Sequence, residues 1–135
     1  MVFLLDSNAF SDLMRKHPRV EARLKTLQPA DRVVICSIVR GEILYGLARL
    51  PDGRRRDNLT KQAEPLFAAI ACEAVPESAA DAYAEIKRKR EQKGLALDEN
   101  DLWLAATASA LGAALVTRDS DFGGIEGLNV IDWTE

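Results

Sequence analysis

The chain has 135 residues, 47% of them hydrophobic and 29% charged, with a formal net charge of −3. This length and composition exclude a disordered chain and predict a single domain over residues 1–135. No apolar run is long enough to span a bilayer, and the first strand is too short for a signal peptide, so we expect a cytoplasmic protein. The negative net charge argues mildly against a nucleic-acid partner.

The pattern of apolar and turn-forming residues predicts strands that alternate with helices. We expect a strand at 2–5, helices at 8–17 and 19–27, a strand at 32–37, helices at 38–50 and 54–70, a strand at 71–75, helices at 77–93 and 99–111, and strands at 113–117 and 128–132. Ser37 and Asp98 are placed to cap the helices that follow them. The alternation predicts an α/β fold with a parallel sheet covered on both faces, whose ligands bind beyond the carboxyl ends of the strands.

The histidine and the cysteines point away from nucleophilic and zinc chemistry. His17, the only histidine, precedes Pro18 and is expected at the C-terminal end of the first helix. Catalysis by a Ser-His or Cys-His pair is therefore disfavoured. Cys36 and Cys72 lie in or beside apolar runs, which predicts two reduced thiols in the core. No Cys/His spacing indicates a zinc site.

Acidic residues follow two of the predicted strands. Asp6 comes directly after the apolar run FLL, and the strand ALV is followed by Thr117, Asp119 and Asp121. Because both strands read as fully buried and parallel, their carboxyl ends should share one edge of the sheet. Taken singly, Asp6 could be an ordinary helix cap, and the later aspartates ordinary loop residues.

Two helices add an acid each. Glu42 lies three and four residues from Val39 and Ile38, so it borders the apolar side of its helix. Asp101 lies in the first turn of an alanine-rich helix that can pack close to a sheet. Each also has an ordinary explanation, Glu42 as a helix-boundary acid and Asp101 as an acid favoured by the helix dipole. The joint case is stronger than any single one, because all these acids map to the same end of one sheet.

Several carboxylates in one crevice repel each other unless a cation lies between them. Oxygen ligands without histidine or cysteine favour Mg²⁺ or Mn²⁺ over zinc. Acids that hold such ions are the apparatus of phosphodiester hydrolysis, in which the metal activates a water and neutralises the phosphate. The sequence therefore predicts a metal-dependent hydrolase of phosphodiester bonds.

Two basic clusters could contact a nucleic acid. The first is formed by Arg54, Arg55 and Arg56, and the second is the run KRKR, which begins with Lys87 and Arg88. Each could follow a phosphate backbone, which would give salt-sensitive contacts without sequence preference. Each could equally be a solvated helix face, and the sequence leaves both interpretations open.

Five blocks of the chain, in their order and spacing, resemble the PIN-domain nucleases, and most closely the VapC-type toxins of bacterial toxin–antitoxin pairs. The blocks are LLDSN, SIVRGEILYG, NDLWLAATASALG, LVTRDSDFGGI and GLNVIDW, and together they cover nearly the whole chain. The resemblance implies an α/β/α sandwich with about five parallel strands in the order 3-2-1-4-5. It also implies an Mg²⁺-dependent endoribonuclease that hydrolyses RNA by metal-activated water.

The resemblance further implies residue roles and partners. Carried over residue by residue, the catalytic, metal-binding acids fall on Asp6, Glu42, Asp101 and Asp119, holding Mg²⁺ or a substituting Mn²⁺. Asp121 can share or take the role of Asp119. The Ser7 hydroxyl should bond to an acid or a water, and Asn8 and Thr117 should give supporting polar contacts. The implied partners are RNA, a small VapB-like antitoxin that covers the acids, and a second copy in a homodimer within a larger assembly.

Two alternatives share this fold and stay open: an RNA-processing nuclease that is not a toxin, and a non-catalytic module that binds RNA or an antitoxin. A phosphatase of the haloacid-dehalogenase type is disfavoured, because it requires a second Asp where this chain has Asn8. A phospho-accepting receiver domain is disfavoured as well. It requires paired acids at the end of the first strand and a lysine after the last, and neither is found.

Overall fold

The computed structural model describes residues 1–135 and shows one five-stranded parallel sheet with the strand order β3-β2-β1-β4-β5. The strands are β1 (Val2–Leu5), β2 (Arg32–Cys36), β3 (Ala71–Glu73), β4 (Ala114–Val116) and β5 (Val130–Ile131). The helices are α1 (Ser7–Met14), α2 (Pro18–Lys25), α3 (Ser37–Ala48), α4 (Arg54–Ala69), α5 (Ser78–Gln92) and α6 (Glu99–Leu111), and a 3₁₀ helix covers Ser120–Phe122. The predicted α/β fold and the 3-2-1-4-5 order are confirmed. None of the helices is long and apolar enough to cross a membrane.

Strand β1 lies at the centre of the sheet, between β2 and β4. Leu4 is paired with Val34 on one side and with Leu115 on the other. The ladder with β4 continues past the end of β1, because the Asp6 N–H donates to the Val116 carbonyl at 3.1 Å. Residues that follow β1 and β4 therefore leave the sheet side by side, at the point where the chain order reverses.

The central strands are apolar at consecutive positions because helices cover both faces of the sheet. Leu4 and Leu5 point to opposite faces, yet each is 0% exposed. Helix α6 packs against β4 and α5, and several of its alanines are fully buried, among them Ala105 and Ala106. Phe10 of α1 is fully buried and stacks on Phe67 of α4, with ring centroids 5.0 Å apart. These contacts fix α1 and α6, the two helices that begin beside the carboxyl ends of β1 and β4.

The structure corrects three local predictions. Helix α1 ends at Met14, so His17 is not a C-terminal helix residue. It is the N-cap of α2, where its Nδ1 accepts a hydrogen bond from the Arg19 N–H at 3.2 Å. The N-cap of α3 is Cys36, without a capping side-chain bond, and Ser37 is the first helical residue. Both cysteines are free as expected, but only Cys36 is buried and Cys72 is exposed.

The strands at the two edges of the sheet are shorter than predicted. Strand β3 ends at Glu73 rather than 75, and β5 covers only Val130–Ile131 rather than 128–132. Each pairs with one neighbour only, so fewer ladder bonds hold its ends.

Candidate functional site

A cavity of about 240 Å³ lies beyond the carboxyl ends of β1 and β4. Its walls include the predicted site residues Asp6, Ser7, Asn8, Glu42, Asp101 and Asp119. The four acids come from four separate segments: the end of β1, helix α3, the first turn of α6, and the loop after β4. The structure therefore brings together the four carboxylates that sequence reasoning placed at one edge of the sheet.

Asp6 is the most buried of the four acids, with 5% of its surface exposed. It is the N-cap of α1, and its Oδ1 accepts a hydrogen bond from the Ala9 N–H at 2.8 Å. Burial raises the pKa of the Asp6 carboxyl above its ordinary value, and the nearby Asp119 and Asp12 add to this rise. The Thr117 hydroxyl and the Ala9 N–H oppose it. Asp6 is therefore a rigidly held carboxylate that would gain from a nearby cation.

Glu42 is oriented by a hydrogen bond from helix α1. The Ser7 hydroxyl donates to its Oε1 at 2.7 Å. The sequence predicts a bond from Ser7 to an acid or a water, and the acid is Glu42. This contact joins the first residue of α1 to the second turn of α3. Asn8 is exposed at the mouth of the cavity and makes no side-chain hydrogen bond within the protein.

Asp101 carries the clearest electrostatic signal in the cavity. Burial is the largest contribution to a pKa raised to about 6, and repulsion from Asp98, Glu42, Asp119 and Asp6 adds to it. No hydrogen bond offsets these effects. Three of the four repelling groups line the same cavity, so the raised pKa reflects the gathering of negative charge there.

The loop after β4 places Asp119 inside the cavity and Asp121 outside it. The Asp119 N–H donates to the buried Thr117 hydroxyl at 3.0 Å, which fixes the start of the loop. The Asp119 Oδ1 accepts a hydrogen bond from the Asp121 N–H at 2.9 Å. The Asp121 side chain is exposed and does not line the cavity. Of the two candidates for the fourth acid, the geometry favours Asp119.

The chemistry of these donors fits a hard divalent cation. All four groups are carboxylates, and Mg²⁺ and Mn²⁺ prefer oxygen ligands. In this structure no three acidic, histidine or cysteine side chains converge tightly enough to enclose one ion. The ligand roles of these acids stay predictions.

A larger cavity of about 870 Å³ adjoins the acidic one and shares Ser7 and Glu42 with it. It lies between α1, α3 and the start of α4. Arginines from all three segments line it, namely Arg15, Arg49, Arg54 and Arg55. An acidic cavity that opens into an arginine-lined one is suited to a phosphate-rich chain that crosses both.

The other basic residues that were predicted to contact RNA line neither the arginine-lined cavity nor the acidic one. Arg56 donates a hydrogen bond to Asp52 and does not line the larger cavity. Lys87 bonds to Glu99 at 2.6 Å and to the Tyr83 hydroxyl at 3.1 Å, and these bonds raise its pKa. Arg88 is exposed on α5 and lines neither cavity.

Sequence reasoning missed Arg15 and Arg49 as lining residues. Helical spacing was the available signal, because Ser7, Ser11 and Arg15 lie four residues apart and share one face of α1. It also missed Asp12, which is 1% exposed, bonds to Arg15 at 2.6 Å and contributes to the raised pKa of Asp6. No sequence pattern distinguishes this buried acid from an ordinary helix surface residue.

A parallel sheet in this strand order, with carboxylates gathered where β1 and β4 end, defines an α/β protein with an acidic crevice at its topological switch point. Residues 3–128 match the PIN domain. The chain belongs to the PIN-domain family, and its predicted resemblance to VapC-type members is confirmed.

The relatives carry ribonuclease and plasmid-stability names. The chain is 32% identical over 136 residues to plasmid stability protein StbB of Pseudomonas syringae pv. tomato, covering 97% of each chain. It is 28% identical over 141 residues to ribonuclease VapC1 of Haemophilus influenzae, covering all of both chains. The structure of VapBC2 from Rickettsia felis, bound to a DNA fragment from its promoter, superposes with a TM-score of 0.88 at 27% identity, covering 98% of this chain and 99% of that one.

Proposed function

We propose that the protein is a metal-dependent endoribonuclease and the toxin of a toxin–antitoxin pair. The observation that carries this proposal is the convergence of four carboxylates from four segments in one cavity of a PIN-domain protein. Relatives named VapC ribonucleases, matched over the whole chain, support RNA as the substrate.

The four acids would hold the cation, with Asp6 and Asp101 as the firmest ligands and Glu42 and Asp119 completing the set. When bound, Mg²⁺ or Mn²⁺ supplies neutralisation of the scissile phosphate and a lowered pKa for the attacking water. The side chains of this chain then have a positioning task. Asp6 is fixed by its hydrogen bond to the first turn of α1, and Glu42 by the Ser7 hydroxyl.

The arginine-lined cavity would bind the RNA backbone on one side of the acids. Arg54 and Arg55 lie at the N-terminus of α4, where the helix dipole also favours phosphate. Contacts of this kind hold phosphates and carry no sequence information. They explain how a chain with a net charge of −3 could still bind RNA, because the positive charge is concentrated beside the acids.

A cognate antitoxin would act by covering this surface. VapBC structures among the fold neighbours support a VapB-like partner in a toxin–antitoxin assembly. A homodimer of the toxin stays a prediction. An antitoxin that occupies the arginine-lined cavity would compete directly with RNA, since the cavity shares Ser7 and Glu42 with the acidic site.

The direct test is cleavage of total RNA by the purified protein with Mg²⁺, with EDTA, and with Asp6→Asn in place of the wild type. We expect cleavage only for the wild type with Mg²⁺. Asp98→Asn is the matched control, because Asn still caps α6 and residue 98 does not line the cavity. Equal cleavage by wild type and Asp6→Asn would contradict the site, and no cleavage by any folded form would favour a non-catalytic binding module.

A second test separates a toxin from an RNA-processing nuclease. Expression of the wild type without its cognate antitoxin should stop growth, and Asp6→Asn should abolish this effect. Unimpaired growth, together with Mg²⁺-dependent cleavage in vitro, would favour the RNA-processing alternative.

A further inference from the structure

A third cavity, of about 140 Å³, lies between α5, the C-terminal half of α6 and the segment 124–126. It shares no lining residue with the acidic cavity. Ser109 in its wall lies eight residues after Asp101 along α6, which corresponds to about 12 Å of helix. It is several times larger than the roughly 30 Å³ that one water occupies in the liquid, so it can hold a polyatomic group.

Arg90 of α5 lines this cavity as a buried arginine without a hydrogen-bond partner. It is only 9% exposed, and its Nε is buried without a hydrogen-bond partner. No hydrogen bond or ion pair joins its guanidinium to another residue of the chain. Arginine keeps its proton, so the buried Nε–H is a donor without an acceptor, which is unfavourable. An anion in the cavity would remove the penalty.

The charges around Arg90 favour an anionic ligand. Lys89 is neutralised by Glu85 at 3.2 Å and Glu126 at 3.0 Å, and these two carboxylates are 62% and 77% exposed on the rim. Lys93 also lines the cavity and makes no ion pair. The five charged residues that line the cavity therefore carry a net charge of +1, and the Ser109 hydroxyl lies in the same wall as a further donor.

We propose that this cavity binds a phosphate group, with Arg90 as its principal ligand and Lys93 and Ser109 as supporting donors. Guanidinium groups bind phosphate through two parallel hydrogen bonds, and a second cation suits the double charge of a phosphate monoester better than the single charge of a carboxylate. The phosphate could belong to a free ion or nucleotide, or to an RNA strand held away from the acids. Phosphate binding in this cavity does not require cleavage of RNA.

The first test measures thermal unfolding in EDTA with inorganic phosphate, and with chloride and acetate at equal ionic strength. At ten times its dissociation constant, phosphate should raise the Tm by roughly 5 °C through mass action. Arg90→Met removes the charge and keeps an apolar chain of similar length, so it should abolish the response. Arg88→Gln removes an equal charge from the exposed face of α5 and should respond like the wild type.

If Arg90→Met fails to fold, a variant of the exposed Lys93, Lys93→Gln, provides the same test, and its response to phosphate should be weakened.

A second experiment measures the fluorescence anisotropy of a labelled single-stranded RNA in EDTA, where binding is observed without metal. Weaker binding to Arg90→Met by roughly tenfold, without a response to inorganic phosphate, would identify an RNA phosphodiester as the ligand.

A phosphate response with unchanged RNA binding would identify a free phosphate or mononucleotide. Equal stabilisation by acetate would overturn the choice of phosphate. No response of the wild type to phosphate, together with unchanged RNA binding by Arg90→Met and Lys93→Gln, would overturn the site. None of these outcomes depends on nuclease activity, so the proposed function can fail or stand separately.

Discussion

Replacing Asp101 by Asn should stabilise the metal-free protein while it abolishes the proposed activity. The carboxylate of Asp101 is partly buried near Glu42, Asp119 and Asp6, and its pKa is raised to about 6 from an ordinary 3.8. A raised carboxyl pKa means that the folded protein disfavours the ionised form. Asn has nearly the same size and no charge, so the variant keeps the helix and loses both the cost of burying a charge and the repulsion.

The size of this effect follows from the pKa. At 1.36 kcal/mol per pKa unit, a rise from 3.8 to about 6 sets a ceiling of about 3 kcal/mol at neutral pH. Because Asp101 is only half-buried, solvent reduces the cost of burying its charge and, with salt, screens part of the repulsion, so we expect about 1 kcal/mol. For a domain of this size that is a Tm rise of roughly 4 °C.

The stability that Asp101→Asn gains over the wild type should increase with pH. Below pH 3.8 the carboxyl is protonated in both the folded and unfolded chains, so the wild type carries no penalty. As the pH rises towards 6, the unfolded chain ionises first, and the folded wild type loses stability until its own carboxyl has ionised. The advantage of Asp101→Asn should therefore be largest at pH 7 to 8 and smaller at pH 5.

The assay is thermal unfolding followed by circular dichroism in EDTA at pH 5 and pH 8, then with Mg²⁺ at pH 8. Mg²⁺ should raise the Tm of the wild type and have less effect on the variant. Asp98→Asn controls for loss of an acid at the start of α6. It should gain less, because it removes only the repulsion between Asp98 and Asp101 and leaves the Asp101 charge partly buried. A variant that is destabilised in EDTA at pH 8 would refute the reasoning.

Three further predictions concern the walls of the two cavities. Asp119→Asn should reduce RNA cleavage at least a hundredfold, and Asp121→Asn less than threefold, because only Asp119 lines the acidic cavity; initial rates with Mg²⁺ would show the contrast. Ser7→Ala should lower the cleavage rate roughly tenfold with unchanged folding by circular dichroism, because it releases the carboxylate that Ser7 orients. Arg55→Gln should weaken RNA binding and reduce the slope of log affinity against log salt by about 0.7, whereas Arg56→Gln, tied to Asp52, should change the slope little.

The site residues that come directly after a buried strand could be predicted from the sequence. A fully buried strand that runs directly into an acid, as at Asp6, fixes where that acid emerges, and β4 repeats the pattern before Asp119. The neighbouring position of the two strands came from the family resemblance, because periodicity does not determine strand order. Glu42 was placed by its helical spacing, but its bond to Ser7 depends on how α1 and α3 pack.

Long-range packing explains what the sequence did not predict. The run KRKR reads as a solvated helix face, yet its last member, Arg90, is buried where α5 packs against α6 and Ile125. Likewise, His17 follows an apparent helix, but Lys16 adopts a left-handed backbone with φ of 56°. The chain turns there, and His17 caps the next helix instead. The local pattern of apolar and charged residues in a sequence does not predict such turns and long-range contacts.

Asp6 shows why a buried strand can end on a carboxylate, and two substitutions separate its structural and chemical roles. One oxygen caps α1 through the Ala9 N–H at 2.8 Å, which stabilises the fold whether or not the group is charged. Asp6→Asn keeps this acceptor and removes a buried charge, so it should be at least as stable as the wild type. Asp6→Ala loses the cap and should cost about 1 kcal/mol or more.

Both variants should be inactive if the charge of Asp6 holds the cation. Thermal unfolding and Mg²⁺-dependent RNA cleavage, measured on the same preparations, distinguish the two roles. An active Asp6→Asn would mean that Asp6 serves only as the cap, because the cap is the one function this variant retains. Asp6→Asn as unstable as Asp6→Ala would mean that the ionised carboxylate itself stabilises the fold, against the direction in which burial raises its pKa.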